Sequence, residues 1–264
     1  MATCSILPAG QAIYDVELLK ALRGTHLSRA LKVLCVIGAH RFDELPLINR
    51  LFPALRHIYL FEPQPEPLVS LYGLAARDCR IKVFPVAVSD TDGIASFNVA
   101  SNDGESSSLL RLGTHSTLFP EVTMRGVIEV PTRRLDSVLL EHGLEAPDVM
   151  IVDVQGAEYL VLKSLPRSMI ERLRLIYTEV STEAVYESSG LLSDVEALLS
   201  PRFLNVGFAA IRPDVPMHGN AVFVAHGDVD AGLTCSARER LRRAFHRIRR
   251  RLTGRATPGG GAAP

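Results

Sequence analysis

The sequence holds no CxxC pair, no net charge, and no apolar run approaching the roughly 18 residues of a membrane-spanning helix. Its four cysteines, Cys4, Cys35, Cys79 and Cys235, are widely scattered. That pattern offers neither a zinc site nor a disulfide framework, so no metal is expected and a reducing compartment is the simplest setting. The N-terminal stretch lacks the basic start and apolar segment of a secretory leader, and a soluble, cytoplasmic chain is expected. What is present is a globular composition: 47% hydrophobic and 22% charged over 264 residues, enough to bury a full core and unlike a disordered or fibrous protein.

Zero net charge hides an asymmetry. Between Arg238 and Arg255 there are nine arginines and one glutamate, so the rest of the chain carries a net −8. In this segment Leu241, Phe245, Ile248 and Leu252 recur at helical spacing. Such a helix suits peripheral contact with an anionic membrane, or light packing on the acidic body, and nucleic acid is not an expected partner. The closing GRATPGGGAAP is low in complexity and is expected to be disordered.

Apolar runs alternate with helical stretches, the pattern of an α/β, doubly wound, mostly parallel sheet. Strands are predicted at Val33 to Ile37, His57 to Phe61, Ile81 to Val88, Val149 to Val154, Leu173 to Val180, Leu204 to Ile211 and Asn220 to Ala225. Helices are predicted over Tyr14 to Leu22, Glu44 to Phe52, Pro67 to Arg77, Ala157 to Leu165 and Leu191 to Leu199. Ile94 to Val130 breaks the rhythm with two alternating segments around SNDGESSS, which reads as an inserted β-hairpin with a long loop. The organisation expected is an N-terminal helical segment over residues 1–30, a main domain over 31–228 and a basic tail over 229–264.

Chemistry concentrates where strands end. Gly38 follows the first strand, at the turn where a nucleotide-binding fold brings backbone against its ligand. Glu62 lies 24 residues further on, at the end of the second strand, placed to accept from the two hydroxyls of a ribose. Ser89 and Asp90 follow the third strand, where an adenine amine would lie, although SDTDG is equally a turn. Asp153 is a charge within an apolar strand, unfavourable unless it is paired or sits at the open carboxyl end of the sheet. Glu158 falls in the following first helical turn, which the helix dipole favours in any case. Glu179 ends the fifth strand on the same rim, and His40 beside the first turn is a candidate proton acceptor.

Taken in order, FEPQP, VAVSD followed by Gly93, SSSL near Leu109, RLDSV around Asp136, VDVQGAEYLVLK, and TEVS followed by Tyr186 resemble the FkbM-type methyltransferases over about Val33 to Ala225. The resemblance implies a seven-stranded Rossmann-like sheet of the class I methyltransferase type with an antiparallel last strand. It also implies transfer of a methyl group from S-adenosylmethionine, commonly to a hydroxyl, here on a small molecule or glycan. It assigns Gly38 to the methionine end of the cofactor, Glu62 to the ribose and Asp90 to the adenine, with Ser89 a cofactor contact by its position beside Asp90 alone. It carries Asp153, Gln155 and Glu158 to the reaction rim, with Gln155 read as a cofactor contact and Asp153 and Glu158 as catalytic groups; His40 joins the catalytic candidates by its position alone.

The family pattern near the first strand is close to DVGANxG, and this chain has Val36, His40 and Phe42 at the acid, the amide and the second glycine. Ile151 stands where the family usually has a lysine. Weaker cofactor binding than an intact turn gives is therefore expected, and a catalytically inactive binding or scaffold domain is the alternative. The missing GxGxxG turn argues against a nicotinamide dehydrogenase.

Overall fold

The computed structural model describes residues 22–232 apart from 24 and 213. The basic tail lies outside them, as does the helix expected over Tyr14 to Leu22 except for Leu22 itself, which is buried. The elements run α1 (His26–Ala30), β1 (Val33–Ile37), α2 (Leu45–Leu51), β2 (His57–Phe61), α3 (Pro65–Ala75), β3 (Ile81–Phe84), β4 (Ala87–Val88), β5 (Gly93–Ala100), α4 (His115–Leu118), β6 (Met124–Arg133), α5 (Leu135–Glu141), β7 (Val149–Val152), α6 (Glu158–Lys163), α7 (Arg167–Arg172), β8 (Leu175–Ser181), α8 (Leu192–Leu199), β9 (Phe203–Arg212), β10 (Val215–Ala225) and α9 (His226–Gly232).

Seven strands form one sheet in the order β3-β2-β1-β7-β8-β10-β9. Pairing is parallel from β3 to β8, and β10 runs antiparallel to both β8 and β9. β1, β7 and β8 are buried along their whole length, because helices cover both faces, which is why β1 and β7 read as unbroken apolar runs. Alternation then divides their side chains. Leu34 and Val36 join Leu27, Ile48 and Leu51 in one layer, while Val33, Cys35 and Ile37 join Leu135, Val138 and Leu162 in the other.

The strand expected over Ile81 to Val88 is two strands. Pro85 has no amide hydrogen to continue the ladder, so β3 stops at Phe84 and β4 pairs with β6 in a second sheet of order β4-β6-β5. That sheet contains the expected hairpin, with Phe97 opposite Ile128. α3 begins two residues before the expected Pro67, because Pro65 occupies the first turn, where its fixed φ suits a helix. β10 reaches back to Val215 instead of starting at Asn220. Its polar residues His218 and Asn220 conceal this in the sequence, yet both pair with β8.

Candidate active site

From β1 the chain passes to β2 and β3 on one side, then returns to place β7 on the other. The crevice between β1 and β7 is thus the switch point of the sheet, where open α/β folds bind ligands beyond the carboxyl ends of their strands. Gly38 follows β1 with φ 79°, and a Cβ there would stand 1.7 Å from the Asp153 carbonyl oxygen. Only glycine allows the turn after β1 to lie this tightly against the end of β7.

Around this contact is a cavity open to solvent. Its lining includes Gly38, His40, Glu62, Gln64, Asp153 and Gln155. Phe61, Val88 and Phe97 supply an apolar wall, and the hairpin loop adds Gly104, Glu105 and Ser107.

Glu62 is fixed by both carboxylate oxygens. Oε2 accepts from the His40 amide at 2.9 Å, and Oε1 accepts from the Gln64 amide at 2.9 Å. Burial pushes its pKa up while these amide donors pull it down. The His40 bond ties the turn after β1 to the end of β2, although His40 itself holds a left-handed φ of 44°. The His40 ring points Nε2 at the Asp103 carbonyl, 3.1 Å away. Gln64 completes the link to the hairpin loop: its Nε2 donates to the Gly104 carbonyl at 3.1 Å, and Ser107 Oγ donates to its Oε1 at 3.0 Å.

Beside the cavity a second network gathers carboxylates. Gln155, at φ 55°, donates Nε2 to Asp153 Oδ1 and to Glu179 Oε2, both at 2.7 Å. The Tyr186 hydroxyl donates to its Oε1 at 2.6 Å, which fixes the orientation of the amide. Glu158 Oε1 accepts from the amides of Val154 and Gly156. One oxygen from each of Asp153, Glu158 and Glu179 lies within 4.8 Å of the others, and all three residues are buried. Burial holds the Asp153 and Glu179 carboxyls above the usual range, helped by repulsion from the neighbouring acids and opposed at Asp153 by the Gln155 hydrogen bond. For Glu158 burial raises the pKa against the pull of its amide donors. His218 Nε2 stands 3.5 Å from Glu179 Oε1, and its Nδ1 is 2.7 Å from Ser181 Oγ. Burial pushes His218 down to about 4, so it is neutral near pH 7.

A family model described as the Methyltransferase FkbM domain matches residues 37–209. The chain belongs to this family. The 2-O-methyltransferase NoeI of Sinorhizobium fredii (strain NBRC 101917 / NGR234) is 34% identical over 136 residues, 49% of this chain and 56% of that protein. Methyltransferase sdnD of Sordaria araneosa is 33% identical over 87 residues, 30% of this chain and 32% of that protein. The matches therefore span about half or less of these relatives' length. Among solved structures, methyltransferase FkbM from Methylobacillus flagellatus KT superposes with a TM-score of 0.50 at 17% identity, over 75% of this chain and 44% of that one. That likeness shows the class I, Rossmann-like fold.

Within the FkbM frame, the expected residues divide by position. Gly38, His40, Glu62, Asp153 and Gln155 surround one cavity. Glu158 belongs to the adjoining carboxylate network. Ser89 and Asp90 are absent from the cavity lining; Asp90 instead pairs with Lys163 at 3.3 Å, and Ser89 Oγ is 3.4 Å from Asp90 Oδ1. Phe42, which stands at the family's second glycine, keeps a positive φ of 52°, yet its ring is 1% exposed in the core beside Ile48 and Leu51. Val36 is likewise fully buried. Of the departures from the family pattern, Val36, Phe42 and Ile151 thus lie in the core while His40 lines the cavity, and the close approach at Gly38 persists. Gln64, Ser107, Tyr186 and His218 were not singled out from sequence, although Gln64, Ser107 and Tyr186 lie within or follow the motifs that carried the family resemblance.

Proposed function

We propose that the protein is an S-adenosylmethionine-dependent methyltransferase that methylates a hydroxyl on a small molecule or glycan. The observation that carries this is the joining of the Gly38 turn, the fixed carboxylate of Glu62 and the Asp153 end of β7 around a single cavity. The donor set fits the cofactor's parts. Glu62 retains lone pairs for ribose hydroxyls, the apolar wall of Phe61, Val88 and Phe97 suits a base, and the acidic Asp153 rim suits a sulfonium. When bound, the cofactor supplies a methyl group activated for transfer to a nucleophile.

The chain's own residues would do the rest. Gly38 and Gln155 set the floor on which the reacting ends meet, and holding them at near-attack distance accounts for much of the acceleration. Asp153, its pKa raised by burial, is suited to take the hydroxyl proton near neutral pH. His40, anchored by its ring to Asp103, is placed at the cofactor end of the cavity and serves to hold the hairpin loop over it. The hydroxyl acceptor is supported by the name of the NoeI relative, a 2-O-methyltransferase. Incubation with methyl-labelled S-adenosylmethionine and a panel of glycans and hydroxylated small molecules should transfer label to at least one acceptor, and the Asp153→Asn variant should lose that transfer. Transfer that proceeds equally in the variant would remove Asp153 from the reaction.

A further inference from the structure

The three acids of the carboxylate network share an unresolved charge. Among the described residues no lysine or arginine lies within ion-pair distance of Asp153, Glu158 or Glu179; the basic side chain beside these three carboxylates is one imidazole, His218, with Nε2 3.5 Å from Glu179 Oε1. A buried charge without a counter-ion is costly, and acids this close cannot all remain ionised without one. Asp153 adds an observation of a different kind. Its Oδ2 has no hydrogen-bond partner although the residue is only 6% exposed, and a buried polar atom left without a partner implies a missing one.

We propose that Asp153, Glu158 and Glu179 bind one divalent cation of the magnesium, manganese or calcium type beside the cavity. Two oxygens that bind one calcium ion at about 2.4 Å can be at most about 4.8 Å apart, and about 4.2 Å for magnesium at about 2.1 Å; one oxygen from each of the three acids lies within 4.8 Å of the others. All three donors are hard carboxylate oxygens, which favour these ions over the softer metals that cysteine and histidine select. Each acid also has one carboxylate oxygen held by a protein donor. Gln155 holds Asp153 Oδ1 and Glu179 Oε2, and the Val154 and Gly156 amides hold Glu158 Oε1. Outer partners of this kind orient metal ligands. Tyr186 locks Gln155 in turn, and a Cβ on Gly156 would collide with the Tyr186 ring at 2.6 Å.

The ion's existence does not depend on the methyltransferase reading, whereas its role does. On that reading the cation would hold the acceptor hydroxyl and lower its pKa, and with Asp153 engaged as a ligand the proton would leave to solvent through the cavity in place of direct transfer to that residue. The test uses the full chain, stripped of metal with EDTA and dialysed. Manganese(II) is titrated in without S-adenosylmethionine, and the free ion is followed by its electron paramagnetic resonance signal. One ion should be taken up per chain, displaced by excess magnesium or calcium, and should raise the melting temperature. Glu179→Gln and Asp153→Asn should each weaken uptake at least about tenfold, while Glu141→Gln, on an exposed residue of α5, leaves it unchanged. Should either variant fold poorly, the manganese-dependent rise in wild-type melting temperature still decides. Absence of uptake at millimolar manganese, or equal uptake by both site variants, overturns the proposal and leaves protons to neutralise the cluster. Titration of S-adenosylmethionine into the same preparation reads the methyltransferase proposal separately.

Discussion

Gly38 and Asp153 touch across the switch point of the sheet so tightly that a Cβ on Gly38 would enter the Asp153 carbonyl oxygen, 1.7 Å away. The variant Gly38→Ala adds that clash to a left-handed φ of 79°. Backbone strain of about 1–2 kcal/mol and overpacking of about 1–3 kcal/mol should together lower the melting temperature by roughly 5–15 °C. An unchanged melting curve would mean that the turn is free to move away from β7.

The core position of Phe42 predicts the outcome of restoring the family pattern. Phe42→Gly relieves a positive φ but empties a site that is 1% exposed, at a cost of roughly 3–5 kcal/mol. Val36→Asp places a carboxylate at a fully buried strand position, which is unfavourable by several kcal/mol unless it finds a partner. The double variant should be poorly folded, and Phe42→Gly alone should melt earlier without binding S-adenosylmethionine more tightly. Tighter binding at an unchanged melting temperature would show that Phe42 obstructs the cofactor.

With metal chelated, stability should fall as pH rises. Asp153, Glu158 and Glu179 all have folded pKa values above the ordinary carboxylate range. The folded chain therefore keeps protons that the unfolded chain releases from about pH 4 upward. Their contribution is complete below that range and is lost as pH rises through the folded values. His218 opposes it: its folded pKa is lowered to about 4, so its contribution grows from about pH 4 to 6.5 and is then constant. The decline should be clearest above about pH 6.5, where the acids act alone, and shallower in Glu179→Gln. A melting temperature that climbs between pH 6.5 and 8 would contradict the burial of these acids.

The arginine-rich tail should bind membrane without supporting the fold. Nine arginines between Arg238 and Arg255, each contributing about 1 kcal/mol near an anionic surface, should carry the chain down with anionic vesicles. Truncation after Cys235 should abolish most of that sedimentation and leave the melting temperature nearly unchanged. A large drop in melting temperature would mean that the tail packs on the acidic body.

The parts of the fold legible in sequence were those where burial leaves a local signature. Val33–Ile37 and His57–Phe61 stand where they were expected, since strands covered on both faces are unbroken apolar runs. The run from Ile81 to Val88 carried no mark of which sheet each half would join, and Pro85 alone divides it. Short helices such as Leu135–Glu141 and Arg167–Arg172 are held by packing more than by propensity. In the site, Gly38, Glu62 and Asp153 were legible because strand ends mark the ligand crevice. Partners brought together only by folding were not: Gln64 meets Ser107 across 43 residues, Gln155 meets Tyr186 across 31, and Ser181 meets His218 across 37.

Calorimetric titration of the full chain with S-adenosylmethionine and S-adenosylhomocysteine tests the central claim most directly. Saturable binding of both at one site per chain is predicted. Glu62→Ala should weaken it by about tenfold or more, because a hydrogen bond to a charged acceptor contributes on the order of 1.5–3 kcal/mol. A folded wild-type chain that binds neither compound would contradict the account and leave an FkbM-type sheet serving as a scaffold.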